Sequence, residues 1–225
     1  LMKSQGLLKN LVDTNKLKIV REECLDFIAQ NRSVKNYSSD ISKYSKNVSS
    51  LINENIHQKI SQLLKINNPE LSSIELHIQR SYCEPIPPHQ DNFYHCIDYD
   101  KGLKILVPLQ DLSIDNGGLV FVNKKIDQPV LKHSPSKIQN FSAFIDKNIF
   151  NQINKEYVFF DLKCGDASYH FINSIHCSYG NKTSKDSMFI VFRYQYPNAI
   201  IDKVAEKNYQ ECYKKHLHFI GQSKI

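Results

Sequence analysis

The chain has 225 residues, 41% of them hydrophobic, which is enough for one domain with a sizeable core. Its net charge of +6 comes from scattered lysines, and without a basic stripe nucleic-acid binding is disfavoured. No apolar run reaches the length of a membrane span, and the first residues lack a signal-peptide core. We therefore expect a cytoplasmic protein with reduced cysteines and no nucleic-acid or membrane partner. The oligomeric state stays open.

Two helices are predicted in the first part of the chain. The segment REECLDFIAQN, residues 21–31, places Cys24, Phe27 and Ile28 on one face. The segment NVSSLINENIHQKISQLLKI, residues 47–66, repeats leucine and isoleucine at helical intervals. The residues that follow, NNPELSS, break this pattern. We therefore assign residues 1–70 to a helical N-terminal part.

From residue 74 onward the sequence is typical of short strands. In SIELHIQRSY, residues 73–82, the apolar Ile74, Leu76 and Ile78 alternate with polar residues. Further strand-like stretches, bounded by Gly, Asn, Asp or Pro, are GLKILVPLQDL (102–112), NGGLVFVN (116–123), EYVFFDL (156–162), SYHFINSIHCS (168–178) and SMFIVFRYQY (187–196). Many short strands separated by turns predict a sandwich or barrel, here with helices packed outside it.

The stretch PPHQDNFYHC, residues 87–96, contains a His-x-Asp triplet. Residues i and i+2 of an extended segment point the same way, so His89 and Asp91 can reach one ion. Two histidines and one carboxylate form the facial triad of iron(II) oxygenases, which leaves positions open for co-substrate and oxygen. His176 is the best candidate for the third ligand, since it lies in SYHFINSIHCS on the predicted strand face that also carries His170.

Two alternatives to an iron site stay open at this point. Zinc is one, because Cys164, Cys177 and His170 lie near His176 in the sequence. Zinc sites favour tighter Cys and His spacings, however, and no CxxC pair is present. The other alternative is a jelly roll in which the histidines are incidental.

Three motifs resemble, in the same order, those of the phytanoyl-CoA dioxygenase family of Fe(II)/2-oxoglutarate oxygenases. PIPPHQDNFYHC (85–96) is similar to the family's proximal metal motif, and GLKILVPLQDLSIDNGGLVFV (102–122) is similar to its next two strands. GDASYHFINSIHCSYGNKTS (165–184) is similar to its distal motif. The resemblance covers residues 74–196. It implies a mainly β fold, the double-stranded β-helix (a cupin-like jelly roll), in a single domain of residues 1–225 with a tail from residue 197.

The resemblance implies Fe(II) held by His89, Asp91 and His176, with 2-oxoglutarate and O2 as co-substrates. It also implies hydroxylation of a C–H bond of a small-molecule substrate, with release of succinate and CO2. Halogenation is disfavoured, because chloride would need the position that Asp91 fills. Three residues that follow the ligands are expected to line the substrate pocket: Asn92, Tyr94 and Tyr179. A non-catalytic jelly-roll binding protein is the alternative function.

The sequence departs from this family at the residue that anchors 2-oxoglutarate. The family's arginine follows the distal histidine at a position that is Ser187 here. Lys104, which interrupts the apolar run LKILVPL, is the favoured replacement, since a lysine in such a strand is costly unless paired. Arg193 on the last strand and Lys185 before it are the other candidates. Ser178 matches a family position that hydrogen-bonds the co-substrate.

Overall fold

The protein is described by a computed structural model that covers residues 4–98, 101–123, 128–153 and 155–222. Its helices are α1 Thr14–Gln30, α2 Ile41–Tyr44, α3 Lys46–Ser50, α4 Glu54–Leu64, α5 Asn92–His95, α6 Lys147–Gln152 and α7 Lys203–Phe219. Within these ranges no helix combines the length and the apolar character that crossing a bilayer requires.

The N-terminal helices differ from the sequence prediction in two places. Helix α1 begins at Thr14 and not near Arg21, because the Asp13 carboxylate caps it by accepting hydrogen bonds from two backbone N–H groups at 2.8 and 3.0 Å. The predicted single helix over residues 47–66 is also wrong, since α3 ends at Ser50. Asn53 starts α4 by accepting a hydrogen bond from the Ile56 N–H at 3.1 Å. Side-chain caps thus set both boundaries.

The strands are β1 Gln5–Leu8, β2 Tyr37–Ser38, β3 Glu70–Gln79, β4 Ile86–His89, β5 Gly102–Pro108, β6 Leu119–Val122, β7 His133–Ile138, β8 Phe141–Ile145, β9 Tyr157–Phe159, β10 Ala167–Phe171, β11 His176–Ser178 and β12 Ser187–Gln195. Six of them form a sheet in the order β1-β10-β5-β12-β3-β2. Four form a second sheet in the order β4-β11-β6-β9, and β7 and β8 form a separate hairpin.

The six-stranded sheet has two faces of different character. Its outer face carries Ile74, Leu76 and Ile105, which share one buried core with residues of α1 and α4 such as Leu17 and Ile56. Burial of this apolar surface holds the N-terminal helices outside the sheet. The resulting architecture confirms the predicted double-stranded β-helix with helices packed outside it.

The inner face of the six-stranded sheet lines the space between the two sheets. Phe189 and Val191 of β12 and Leu106 of β5 form an apolar cluster there, against which Leu119 of β6 packs. This cluster fills part of the interior. Other inward positions of the large sheet carry polar residues, and the candidate site lies among them.

The segment over residues 168–178 is not the single strand that the sequence predicts. Strand β10 belongs to the six-stranded sheet and β11 to the four-stranded sheet, so the chain crosses between sheets at residues 172–175. A turn bond from the Ser174 N–H to the Phe171 carbonyl, 2.8 Å long, closes this crossing. The alternation of polar and apolar residues breaks here, at Phe171-Ile172 and Asn173-Ser174, but no Gly or Pro marks the turn.

The C-terminal segment carries α7, which packs on the β7–β8 hairpin and on α5. His216 of α7 is buried and donates from Nδ1 to the Ser136 carbonyl at 2.7 Å. Strand β7 of this hairpin begins at the buried His133.

Candidate metal centre

The structure brings together the three residues that the sequence singles out as metal ligands. Strand β4 ends at His89, Asp91 follows two residues later, and His176 begins β11. The pairing of β11 with β4 places His176 opposite His89, with ring centroids 4.2 Å apart. One potential ligand atom from each of His89, Asp91 and His176 lies within 4.8 Å of the other two, and all three residues are buried.

Backbone carbonyls fix the rings of the two histidines. Nδ1 of His89 donates to the Pro87 carbonyl at 3.0 Å, and Nδ1 of His176 donates to the Ser174 carbonyl at 3.0 Å. The proton therefore lies on Nδ1, and the Nε2 lone pair of each ring is available to a metal. Burial lowers the pKa of His89 to about 3 and that of His176 to about 4. Both rings are neutral at physiological pH, as metal ligation requires.

The carboxylate of Asp91 is held at both oxygens. Nζ of Lys104 donates to Oδ1 at 3.1 Å, and Nε2 of His170 donates to Oδ2 at 3.0 Å. Burial acts to raise the pKa of Asp91, but Lys104 together with His176 and His170 outweighs it and holds the pKa well below its usual range. Asp91 is thus ionised and fixed in orientation.

Lys104 lies on the inner face of β5 and is paired with two carboxylates. Besides Asp91, its amine lies 3.8 Å from Oε2 of Glu75 on β3. Glu75 also accepts a hydrogen bond from Ser73 Oγ at 2.7 Å and contacts His77 Nε2 at 3.1 Å. Burial acts to raise the pKa of Glu75, but Lys104 together with the contacts from His77 and Ser73 outweighs it and lowers the pKa. Burying the charge of Lys104 is costly, as the sequence indicates, and two carboxylates of the chain itself compensate that charge.

The sequence did not single out Glu75. It belongs to the polar half of the alternating β3 pattern, which is usually the solvent face of a strand. Here that half points into the protein, and Glu75 is only 6% exposed. The available signal was a charged residue within a strand, in a chain that also carries a lysine within a strand.

The three candidate anchors for 2-oxoglutarate lie in different environments. Arg193 of β12 pairs in register with Lys104 of β5 and is half-buried. Its Nε is buried without a hydrogen-bond partner, and none of the ion pairs found among the described residues involves its guanidinium. Lys185 is exposed. The buried Ser187, at the family's anchor position, lies opposite Gln79 at the other end of β12.

Ser178 is buried, and its hydroxyl bonds to backbone groups. Oγ donates to the Gly117 carbonyl at 3.3 Å and accepts from the Gly180 N–H at 3.2 Å. These bonds hold the chain after β11, where Gly180 has a φ of +78° and an added Cβ would meet the Cys83 carbonyl oxygen. The structure gives Ser178 this local role.

The residues expected to line the substrate pocket do not form one group. The Asn92 side chain is buried and bonds to both backbone groups of Ile97, at 2.7 and 3.0 Å. Tyr94 lies beside the triad, with its ring 6.0 Å from that of His89 and its hydroxyl donating to the Ala143 carbonyl at 2.6 Å. Tyr179 is 40% exposed, and no described contact joins it to the triad.

Two further rings that the sequence did not single out lie against the histidines. Phe141 of β8 has its centroid 5.0 Å from the His89 ring, and Phe121 of β6 has its centroid 5.9 Å from the His176 ring. Together with Tyr94 they give the triad an apolar wall. Such a wall excludes water and strengthens the electrostatic interactions inside it.

No group beyond the triad offers three metal-ligating side chains within the described ranges, so the zinc alternative built on Cys164 and Cys177 has no site there. A cavity of about 720 Å³ lies between α5, the start of β7 and α7. Phe93 and Leu131 line it, but His89, Asp91 and His176 do not. The cavity is therefore distinct from the candidate metal centre.

Comparison with known proteins finds likeness in structure alone. No protein-family model and no curated protein matches the chain. Among solved structures, EvdO2 from Micromonospora carbonacea var. aurantiaca, complexed with 2-oxoglutarate, is 16% identical with a TM-score of 0.72, over 90% of this chain and 89% of its own. The non-heme monooxygenase ThoJ is 15% identical with a TM-score of 0.72, over 98% of this chain and 95% of its own.

A third neighbour is the epimerase SnoN, in complex with Fe3+, alpha-ketoglutarate (2-oxoglutarate) and nogalamycin RO. It is 17% identical with a TM-score of 0.67, over 89% of this chain and 82% of its own. At such identities the likeness shows the fold, which is the cupin-like fold of these enzymes. This likeness does not show that the chain belongs to the phytanoyl-CoA dioxygenase family.

Proposed function

We propose that this protein is an Fe(II)- and 2-oxoglutarate-dependent enzyme that oxidises a small molecule. The observation that carries the proposal is the buried triad of His89, Asp91 and His176, with ligand atoms within 4.8 Å of one another. Two histidines and one carboxylate on one face of an ion leave the opposite positions open. When bound there, iron together with 2-oxoglutarate and O2 supplies the oxidising power to break a C–H bond, with succinate and CO2 as co-products.

The chain's own residues hold and orient this site. The Nε2 atoms of His89 and His176 and one oxygen of Asp91 are the metal donors, and the bonds at Nδ1 to backbone carbonyls keep both rings in place. Phe121 and Phe141 keep water from the bound groups. Orientation and exclusion of water are what a protein contributes when a cofactor carries the chemistry.

The charges around the triad support a metal bound together with a dianion. Asp91 and Glu75 contribute two negative charges, and Lys104 and Arg193 contribute two positive ones, so the cluster is neutral. A divalent ion alone would add two uncompensated charges to a buried site, which is costly. The 2-oxoglutarate dianion would restore neutrality. The site therefore suits a divalent ion and 2-oxoglutarate bound together better than either of them alone.

We assign the binding of the distal carboxylate of 2-oxoglutarate to Arg193. Its Nε is a buried donor without a partner among the described residues, on the same inner wall as Lys104. A planar guanidinium also matches a carboxylate at two points. The sequence favours Lys104, but that amine already faces Asp91 and Glu75. Lys185 points to solvent, and Ser178 bonds to backbone groups.

Hydroxylation is the reaction we propose, with a small molecule as the substrate and the cytoplasm as the location. The support for hydroxylation is the motif resemblance over residues 74–196, and the monooxygenase ThoJ has the same fold. The epimerase SnoN has this fold as well, so the fold alone does not select the reaction. The presence of Asp91 disfavours halogenation. Tyr94, beside His89, is the residue we place at the substrate.

Succinate formation tests the proposal. The purified protein, loaded with Fe(II), is incubated with 2-oxoglutarate and O2, with and without a panel of small molecules, and succinate is measured. We expect succinate from the wild type, stimulated by a substrate, and none from His176→Ala. A wild type that binds one metal ion but forms no succinate under any condition would favour the alternative of a non-catalytic binding protein.

A further inference from the structure

His170 lies beside the metal ligands and has no place in the triad. It is on β10, opposite Lys104 of β5, and is 2% exposed. Its Nε2 lies 3.0 Å from Oδ2 of Asp91, and its ring centroid lies 4.7 Å from that of His176. Its Nδ1 is buried and has no hydrogen-bond partner among the described residues.

This bonding pattern fixes the tautomer of His170. An ionised carboxylate oxygen only accepts hydrogen bonds, so Nε2 must carry the proton that joins it to Asp91. In the neutral ring Nδ1 is then an acceptor without a partner. Buried polar atoms without partners are rare and each needs an explanation. The bond to Asp91 is the one polar interaction found for this side chain. It therefore best explains why a histidine occupies this buried position.

The oxygen that His170 contacts is the one that faces the distal ligand. Oδ2 of Asp91 lies 3.8 Å from Nε2 of His176, while Oδ1 lies 3.1 Å from Nζ of Lys104. A carboxylate oxygen has two lone-pair directions. On Oδ2 one direction takes the bond from His170 and the other remains for an ion bound with His176. On Oδ1 the lysine takes one direction, and its positive charge opposes the approach of a cation to that oxygen.

We propose that His170 is a positioning residue that holds Asp91 as a ligand through a single oxygen, Oδ2, with Lys104 holding Oδ1. This keeps the metal positions opposite the triad free for co-substrates, since a carboxylate bound through both oxygens would take one of them. The inference rests on the proposed function, because it presupposes a metal at the triad. His170 acts through Asp91 and need not touch the metal itself.

Metal affinity without any co-substrate tests this role. Co(II) is titrated into the metal-free wild type, and into His170→Phe and His170→Leu, which lack the donor. His170→Gln, which offers an amide donor, tests rescue. His216→Phe is the matched control, since His216 is also buried with one bond to a carbonyl but lies on α7. Thermal unfolding shows which variants are folded, and the visible spectrum of bound Co(II) reports its coordination.

We expect both variants without the donor to bind Co(II) about 10–100-fold more weakly, as is usual when a partner of a metal ligand is lost. Their Co(II) spectrum should change, while His170→Gln should recover most of the affinity and His216→Phe should bind like the wild type. If His170→Phe and His170→Leu fold and bind Co(II) with the affinity and spectrum of the wild type, the inference is overturned. The proposed metal site would survive that result. If neither donor-less variant folds, His170 serves folding and the inference also fails. A wild type that binds no metal would overturn both the proposed function and this inference.

Discussion

Replacing Arg193 and Lys104 one at a time by methionine separates two roles for buried cations at this site. Methionine keeps an unbranched apolar stem in place of either side chain and removes its charge. Arg193 has no ion-pair partner among the described residues, whereas Lys104 faces Asp91 and Glu75. The two substitutions should therefore act on different quantities.

For Arg193→Met we expect a loss of co-substrate affinity without a loss of stability. A hydrogen bond to a charged group is worth about 1.5–3 kcal/mol, which corresponds to an affinity for 2-oxoglutarate that is about ten- to a hundredfold weaker. The substitution leaves no described carboxylate without its partner. The free energy of unfolding of the metal-free protein should therefore stay the same or increase.

For Lys104→Met we expect the reverse. The substitution leaves Asp91 and Glu75 buried next to each other without a cation, and breaking a buried pair in this way costs about 3–5 kcal/mol. For a chain of this size the melting temperature should fall by very roughly 10 °C. A bound divalent ion replaces the missing charge, so metal should restore much of the lost stability.

Two measurements on the same set of variants decide between these outcomes. Thermal unfolding of the metal-free proteins gives the stability, and titration of Co(II)-loaded proteins with 2-oxoglutarate gives the affinity. Lys185→Met, at an exposed lysine, is the control and should match the wild type in both. The reasoning is refuted if Arg193→Met binds 2-oxoglutarate normally while Lys104→Met loses affinity at unchanged stability. Lys104 would then be the anchor, as the sequence suggests.

Three further predictions follow from the triad. His89→Ala and His176→Ala should each leave the fold intact and abolish stoichiometric iron binding, and full iron occupancy by metal analysis in both would exclude the triad. Asp91→Gly should retain a weak metal site but lose substrate-coupled turnover of 2-oxoglutarate, and a wild-type rate would show that the carboxylate is not a ligand. Burial lowers the pKa of His89 and His95 to about 3 and of His176 to about 4, against about 6.5 in an unfolded chain. Below pH 6.5 the unfolded state thus binds more protons, so the metal-free protein should lose roughly 1 kcal/mol per histidine for each pH unit down to pH 5. A melting temperature that is constant or rises over that range would contradict this.

The sequence contains enough information to predict the fold class and to predict that His89, Asp91 and His176 meet. The β-rich stretches bounded by turn residues, together with the ordered motifs, predict the double-stranded β-helix that the structure confirms. His89 and Asp91 are neighbours in an extended segment, so their proximity follows from strand geometry. His176 is far away in sequence, and its place on a predicted strand face, together with the motif resemblance, identifies it.

The errors arise where one pattern is compatible with two structures. No Gly or Pro marks the crossing between sheets within residues 168–178, so β10 and β11 appear as a single strand that would place His170 and His176 on one face. The two histidines do meet, but from different sheets. Leucines and isoleucines likewise keep helical spacing across the break between α3 and α4. A helical pattern of apolar residues does not show a short break when the residues after the break keep the same spacing.

The inner face of the large sheet shows a more general difficulty. The alternation in β3 indicates correctly that Ile74, Leu76 and Ile78 are buried, and helices cover that outer face. The polar residues between them would meet water in a sheet with one covered face. In this closed two-sheet structure Glu75 and Gln79 are buried as well, and Glu75 is stable there because Lys104 compensates its charge and His77 contacts its carboxylate. Both faces of such a strand are therefore interior, so the polar face is selected for its partners and not for solubility. It follows that ionisable residues on the polar side of a β-helix strand are where functional groups should be sought, and Glu75, Lys104, His170 and Arg193 all occupy such positions.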